Sequence, residues 1–205
     1  MNNTLARCLD GTFDDLDRFR DLCATVEGLS SPRCLAVINA AVSDIPDCVY
    51  CEIGAYKGLS ARAAMLGNEG KEFHIVESFR EVGIYGDYRE TLLRNLDNGR
   101  GDNLTLHEID GFQFLKHHAG KPFDVFYYDG EHSSQSTYYA LSLARYHLKP
   151  GSIVFLDDTN GGLVRDGMMH AIHDFPFNLL RDWWSPKNGY TDGFWNGFAV
   201  LQYGG

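Results

Sequence analysis

The sequence predicts one α/β domain built on a doubly wound, mainly parallel sheet. Its 205 residues suit a single domain, for which about 100–200 residues is typical. From residue 48 onward, short apolar runs alternate with segments of helical periodicity, which is the pattern of repeated strand–helix units. Because such units give parallel strands, ligands are expected just beyond the carboxyl ends of those strands.

Two helices are predicted ahead of the sheet, and six apolar runs then supply strands. Residues 13–26 and 34–45 place apolar side chains at helical spacing, so that 1–46 forms a helical extension of the core over 47–205. Another helix is predicted over 135–148, where a Lys-Pro-Gly segment follows it. The predicted strands are 49–53, 73–77, 103–109, 123–129, 152–158 and 194–203.

The composition disfavours several classes of partner. Acidic residues outnumber basic ones by 28 to 18, for a formal net charge of −10, which repels nucleic-acid phosphates and anionic membranes. No stretch approaches the roughly 18 apolar residues of a membrane span, and the N-terminus lacks the apolar segment of a secretion signal. The five cysteines are an odd set that does not suit a disulfide framework. We therefore expect a cytoplasmic protein that binds neither nucleic acid nor membrane, and a homo-oligomer is compatible with the sequence.

The loop after the first predicted strand is rich in glycine. It reads Glu52-Ile-Gly54-Ala-Tyr56-Lys-Gly58-Leu-Ser60 and leads into a predicted helix. Gly54 permits a tight turn, Gly58 lets the backbone approach a ligand, and the helix N-terminus offers N–H groups to a carboxylate. Tyr56 stands where a dinucleotide fingerprint requires glycine, which disfavours NAD and FAD. The glycine spacing is one residue short of a P-loop, which disfavours ATP and GTP.

Carboxylates follow three other predicted strands. Glu77 ends the second run, where a carboxylate can accept both hydroxyls of a ribose, although an acid exposed to solvent is the alternative. Asp129 ends the fourth run, and Asp157 with Asp158 ends the fifth. Close carboxylates raise one another's pKa values unless a cation neutralises them, and oxygen-only ligands suit Mg²⁺, Mn²⁺ or Ca²⁺. The pair can share a site only if the strand ends between its members, and turn capping is the alternative.

The pattern E-x-G-x-x-x-G resembles the first motif of class I S-adenosylmethionine (SAM)-dependent methyltransferases. The segments DVFYYDGEHS and GSIVFLDDTN resemble the small-molecule O-methyltransferases related to the macrocin, cephalosporin-pathway and catechol enzymes, and the similarity spans about residues 34–160. It implies a Rossmann-like sheet of seven strands with helices on both faces and an antiparallel last strand. It also implies methyl transfer from SAM to a hydroxyl of a small molecule, assisted by a divalent metal such as Mg²⁺.

The resemblance also implies roles for individual residues. Glu52 would reach the amino group of the methionine part of SAM directly or through water, and Glu77 would bind the ribose. Asp110 would lie beside the adenine, or it would instead cap the helix that follows it. The implied metal ligands are Asp129, Asp157 and Asp158. The implied cofactor-binding set is Glu52, Gly54, Tyr56, Gly58, Ser60, Glu77, Asp110 and Asp129.

His132 is a departure from the family pattern. The catechol enzymes carry a lysine as general base three residues after the first metal-binding Asp, and His132 holds that position after Asp129. A histidine with a pKa near 6.5 can accept a proton at neutral pH. His132 and Asp129 are therefore the predicted catalytic residues, and the alternative is that His132 only orients the acidic cluster.

The sequence leaves two alternative functions undecided, as well as the role of one aromatic segment. The chain could act without metal through His132 alone, or it could bind SAM as a non-catalytic partner protein. Near the C-terminus, aromatic residues either stack on the acceptor or lie half-buried in strands. They are Trp183, Trp184, Tyr190, Phe194, Trp195 and Phe198.

Overall fold

The computed structural model describes residues 3–80, 86–97, 103–185 and 193–205. The strands are β1 (Val49–Ile53), β2 (Glu72–Val76), β3 (Leu104–His107), β4 (Phe123–Tyr128), β5 (Leu148–Asp157), β6 (Phe177–Trp183) and β7 (Phe198–Tyr203). The helices are α1 (Thr4–Leu9), α2 (Leu16–Thr25), α3 (Pro32–Asp44), α4 (Leu59–Met65), α5 (Arg89–Asp97), α6 (Gly111–His117), α7 (Ser134–Ala144) and α8 (Gly162–Asp174).

The seven described strands form one sheet in the order β3-β2-β1-β4-β5-β7-β6. Strands β1 to β5 run parallel, whereas β7 pairs antiparallel with both β5 and β6. This confirms the predicted doubly wound, mainly parallel sheet with an antiparallel last strand. The chain reverses its direction of winding between β1 and β4, and in open α/β sheets the binding crevice lies at that point.

Each face of the sheet is covered by its own apolar core. On one face, Tyr50 and Phe155 pack with side chains of α1, α3 and α4. On the other face, Phe126 and Val154 pack with side chains of α6, α7 and α8. Successive strand residues alternate between these cores, as the pleat requires, so the expected helices on both faces are confirmed. All five cysteines are free thiols, in line with the expectation that they form no disulfide framework.

Several elements differ from the sequence prediction for local reasons. Strand β6 was missed because it lies at the sheet edge and most of its side chains are exposed, so it shows no apolar run. Strand β7 starts later than residue 194 because Asn196 and Gly197 have positive φ angles, which extended strands do not adopt. Helix α1 has only six residues, too few for a periodic signal, and Asn3 caps it by accepting from the Ala6 N–H.

Within the described residues, no helix has both the length and the apolar character that crossing a bilayer requires.

Candidate active site

A cavity of about 640 Å³ opens at the carboxyl ends of β1, β2, β4 and β5. The cavity is also lined by Gly28 and Leu29 from the loop between α2 and α3, and by Trp195 and Asn196 from the segment before β7. The fold therefore brings the predicted site residues to one place, with Glu52 as the exception. The predicted residues in the wall are Gly54, Tyr56, Gly58, Ser60, Glu77, Asp110, Asp129, His132, Asp157 and Asp158.

The glycine loop is shaped by two close contacts. Gly54 has a φ of +89°, and a Cβ atom there would lie 2.0 Å from the carbonyl oxygen of Asp129. Gly58 has a φ of +84°, and its Cβ would lie 2.7 Å from a methyl carbon of Leu92 on α5. Gly54 thus permits the predicted turn. Gly58 is required by its backbone angle and by packing against α5, in addition to its place in the cavity wall.

Glu52 lies behind the cavity wall. Its carboxylate is fully buried, and it accepts hydrogen bonds from the Tyr50 hydroxyl over 2.7 Å and from the Ser60 hydroxyl. Burial raises the pKa of Glu52 to about 7, although both hydrogen bonds oppose that rise. Ser60 lines the cavity and Glu52 does not, so Glu52 is linked to the cavity through the Ser60 hydroxyl. Its expected approach to the amino group of SAM stays a prediction.

Glu77 is held by three donors at the end of β2. Its Oε2 accepts from the Tyr56 N–H over 2.8 Å, and its Oε1 accepts from the Phe79 N–H at 3.0 Å and the Tyr88 hydroxyl at 3.2 Å. The residue is only 7% exposed, so the alternative of an acid exposed to solvent is excluded. Tyr88 lines the same cavity and was missed by sequence reasoning, because nothing in the pattern around it indicates a strand end.

Asp110 caps helix α6. Its Oδ1 accepts from the Gln113 N–H over 3.0 Å, and its Oδ2 lies 3.0 Å from an Arg80 guanidinium nitrogen. The capping alternative is therefore confirmed. A place beside adenine stays a prediction, which is compatible with the cap because Asp110 also lines the cavity. Arg80 was not among the predicted site residues.

His132 bridges two of the three predicted cluster acids. Its Nε2 lies 3.3 Å from an oxygen of Asp129, and its Nδ1 lies 3.0 Å from an oxygen of Asp158. Strand β5 ends at Asp157, and Asp158 has a φ of +55°. The backbone therefore leaves the extended conformation between Asp157 and Asp158. Both residues line the cavity, so the condition for a shared site, a strand that ends between them, is met.

The bridging geometry sets the protonation states of this cluster. Hydrogen bonds to Asp129 and Asp158 raise the pKa of His132 to about 10. Burial raises the pKa of Asp129 to about 6 and that of Asp157 well above its usual range. His132 consequently carries a proton at neutral pH and is poorly suited to accept another. The geometry favours the alternative in which His132 orients the acids, and it leaves Asp129 as the better general base.

The arrangement does not fit the predicted divalent metal. Carboxylate oxygens suit Mg²⁺ chemically, but the His132 ring stands between Asp129 and Asp158 and already supplies their compensating positive charge. Among the residues that the structure describes, no three His, Cys, Asp or Glu side chains are grouped so that they could hold a metal ion. A metal would require His132 to leave both acids.

The aromatic residues near the C-terminus divide between core and cavity. Trp183 and Phe194 stack with ring centroids 4.0 Å apart, and Phe194 with Phe198 belongs to the buried core. Trp195 lines the cavity, whereas Trp184 is 65% exposed. The predicted Tyr190 lies outside the described residues.

Comparison with known proteins identifies the family. Residues 51–159, more than half of the chain, match the family model described as a methyltransferase domain. The chain therefore belongs to this methyltransferase family, and the predicted resemblance to class I methyltransferases is confirmed. None of the curated proteins compared with the chain matches it.

Solved structures share the fold at low sequence identity. The O-methyltransferase TomG from Streptomyces achromogenes, solved with SAM, is 16% identical, with coverage of 100% of this chain and 91% of that chain and a TM-score of 0.65. The methyltransferase PaMTH1 from Podospora anserina, bound to S-adenosylhomocysteine (SAH), is 17% identical, with coverage of 98% and 93% and a TM-score of 0.65. A SAM-dependent O-methyltransferase from Thermotoga maritima is 13% identical, with coverage of 93% and 71% and a TM-score of 0.66.

Proposed function

We propose that the protein transfers a methyl group from SAM to a hydroxyl group of a small molecule. One observation carries this proposal: a single cavity joins the glycine loop and Glu77 to Asp129 and His132. The methyltransferase domain match and the neighbours solved with SAM or SAH support it. The strongly acidic composition supports a small-molecule acceptor rather than nucleic acid or membrane, and the five free cysteines support a cytoplasmic location.

The cavity fits SAM in size and in the chemistry of its donors and acceptors. Its volume of about 640 Å³ lies within the roughly 300–1,000 Å³ of small-molecule sites. The Ser60 hydroxyl, which donates to Glu52, keeps its lone pairs for an ammonium group. Glu77 presents a carboxylate that suits a ribose hydroxyl. When bound, SAM supplies an electrophilic methyl group on a positively charged sulfur.

The acidic cluster is suited to take the proton of the acceptor hydroxyl. Asp129 has a pKa raised to about 6, close to neutral pH, where a general base is most effective. His132 fixes the carboxylates of Asp129 and Asp158 through its two ring nitrogens and offsets part of their charge. Holding the hydroxyl beside Asp129 makes the transfer effectively intramolecular, which contributes much of the rate in such sites.

This proposal follows the metal-independent alternative with one change. The sequence favoured a divalent metal and made His132 the base, whereas the bridging position of His132 favours Asp129 as the base and His132 as its positioning residue. The Mg²⁺ requirement stays a prediction of the resemblance, and removal of metal tests it separately.

The test is methyl transfer by the purified protein. Metabolite extracts and a panel of small hydroxyl compounds would be incubated with SAM carrying a labelled methyl group, and labelled products would be sought by mass spectrometry. Asp129→Asn should bind SAM with nearly unchanged affinity and lose at least about a hundredfold in turnover. Calorimetric SAM binding without any labelled product would favour the non-catalytic alternative, and failure to bind SAM would overturn the proposal.

A further inference from the structure

Lys57 is a cation of the cavity wall whose acidic partner lies outside that wall. The other two basic residues in the described part of the wall pair with acids that also line the cavity, and those pairs are Arg80–Asp110, His132–Asp129 and His132–Asp158. Lys57 instead pairs with Glu27, which is not a wall residue. Lys57 can therefore receive a bound anion without leaving a wall acid unpaired.

The ammonium of Lys57 is sheltered, and one of its donors is open. The Lys57 side chain is 16% exposed, whereas that of Glu27 is 61% exposed. An ammonium carries three N–H donors, of which Glu27 takes one and the Tyr56 hydroxyl a second among the described residues. Lys57 Nζ lies 5.1 Å from the centre of the Tyr56 ring, and Tyr56 itself lines the cavity. The third donor is left for a ligand.

Asn95 holds the backbone that presents this ammonium. The Asn95 side-chain amide donates to the Lys57 carbonyl over 2.8 Å and to the Glu27 carbonyl over 3.3 Å. It thereby joins helix α5 to the glycine loop and to the loop between α2 and α3. The next residue of that second loop, Gly28, lines the cavity, and a Cβ atom there would lie 2.4 Å from the Cβ of Leu59. The two loops are thus packed together, with the ion pair of Lys57 and Glu27 between them.

The methionine part of SAM carries an ammonium and a carboxylate on the same carbon atom. The Ser60 hydroxyl keeps lone pairs for the ammonium, and two cavity-wall residues, Gly58 and Leu59, separate Ser60 from Lys57 in the chain. The carboxylate therefore falls next to a segment that begins with a lysine. Elsewhere the acids in the described part of the wall outnumber its basic residues and would repel a carboxylate. A charged donor is also a stronger partner for it than a neutral one.

We propose that Lys57 is a cofactor-binding residue that donates to the carboxylate of the methionine part of SAM. This inference rests on the proposed function, because it assumes that the cavity binds SAM with its methionine part at the glycine loop. It gives each charged group of that part its own partner, the Ser60 hydroxyl for the ammonium and the Lys57 ammonium for the carboxylate.

Isothermal titration with SAH and with decarboxylated SAH, which lacks only the carboxylate, tests the inference. Lys57→Gln removes the cation, whereas Glu27→Gln breaks the same ion pair and keeps the cation, so Glu27→Gln is the matched control. We expect Lys57→Gln to bind SAH about tenfold more weakly than wild type, or weaker still. Glu27→Gln should bind SAH within about twofold of wild type.

The decarboxylated ligand separates direct contact from a structural effect. Lys57→Gln and wild type should bind it within about twofold of each other, because it has no carboxylate for the lysine to bind. Equal weakening for both ligands in Lys57→Gln, or an SAH affinity equal to that of wild type, would overturn the inference. A loss in Glu27→Gln as large as that in Lys57→Gln would also overturn it, because the ion pair alone would then explain both. If wild-type protein fails to bind SAH, the proposed function fails first.

Discussion

The backbone of Gly54 passes the carbonyl of Asp129 so closely that a Cβ atom would lie 2.0 Å from that oxygen. This contact joins the loop after β1 to the end of β4, which is the point where the winding of the sheet reverses. The glycine turn and the proposed base are therefore fixed to each other. A substitution that displaces the Gly54 backbone should therefore disturb both cofactor binding and the placement of Asp129.

Gly54→Ala should destabilise the protein and abolish SAM binding. The new methyl group would overlap the Asp129 carbonyl, and the φ of +89° adds strain for any residue with a Cβ atom. We expect a loss of at least about 2 kcal/mol in the free energy of unfolding, measured by urea denaturation. Gly67→Ala is the control, because Gly67 has a φ of +76° with no neighbour within 4 Å of its Cβ position. Similar losses in the two variants would show that the clash is unimportant.

His132→Gln should lower turnover more than it lowers SAM affinity. The substitution removes the positive charge between Asp129 and Asp158, so the carboxylates would repel each other and lose their orientation. We expect at least a tenfold fall in kcat, measured by product formation at saturating SAM. His173→Gln, at an exposed position on α8, is the control. Unchanged kcat in His132→Gln would remove the positioning role.

The same histidine should make stability fall at alkaline pH. Its folded pKa of about 10 lies above the ordinary 6.5, so its contribution is complete below about pH 6.5 and is lost as the pH rises towards about 10. Thermal unfolding between pH 6.5 and 10 should show a decline in Tm that is smaller in His132→Gln. Equal declines would mean that His132 is not protonated in the folded protein.

Metal removal should leave the activity intact. Since the His132 ring already stands between Asp129 and Asp158, the proposal requires no cation there. Protein dialysed against EDTA should keep its turnover within about twofold, and added Mg²⁺ should not raise it further. Loss of activity in EDTA with recovery in Mg²⁺ would establish the metal requirement that the resemblance implies, with His132 displaced from the acids.

A second group of histidines should make the protein less stable in acid. His74 and His107 share a hydrogen bond of 3.0 Å, and the rings of His118 and His147 lie close by, with centroids 5.3 Å apart. Burial lowers the pKa of His107 to about 4 and also lowers the pKa values of His74 and His147. The unfolded chain therefore takes up more protons below about pH 6.5.

The corresponding measurement is thermal unfolding between pH 7 and 4. We expect Tm to fall as the pH drops from about 6.5 towards about 4, and His107→Gln should show a smaller fall because one of the responsible groups is gone. His170→Gln, exposed on α8, should retain the wild-type slope. A Tm that does not depend on pH in this range would contradict the lowered pKa values.

The residue pattern predicted more of the fold than of the site's chemistry. Alternation of apolar runs and helical segments is a local property that persists in the folded chain, so β1 to β5 and most helices lie near their predicted places. Strand β6 was not predicted because an exposed edge strand needs no apolar run. The glycine loop and the acids Glu77, Asp129 and Asp157 were found because ligands bind beyond parallel strand ends.

The sequence alone determined the doubly wound sheet, its glycine loop and the acids at its edge, because apolar periodicity and loop position depend on residues that are close together in the chain. Tertiary structure decided that Glu52 reaches the cavity through Ser60, that Tyr88 lies beside Glu77, and that His132 is held as a cation. The physical reason is that burial and charge at a side chain depend on partners that are distant in sequence, and only folding brings those partners within hydrogen-bonding distance.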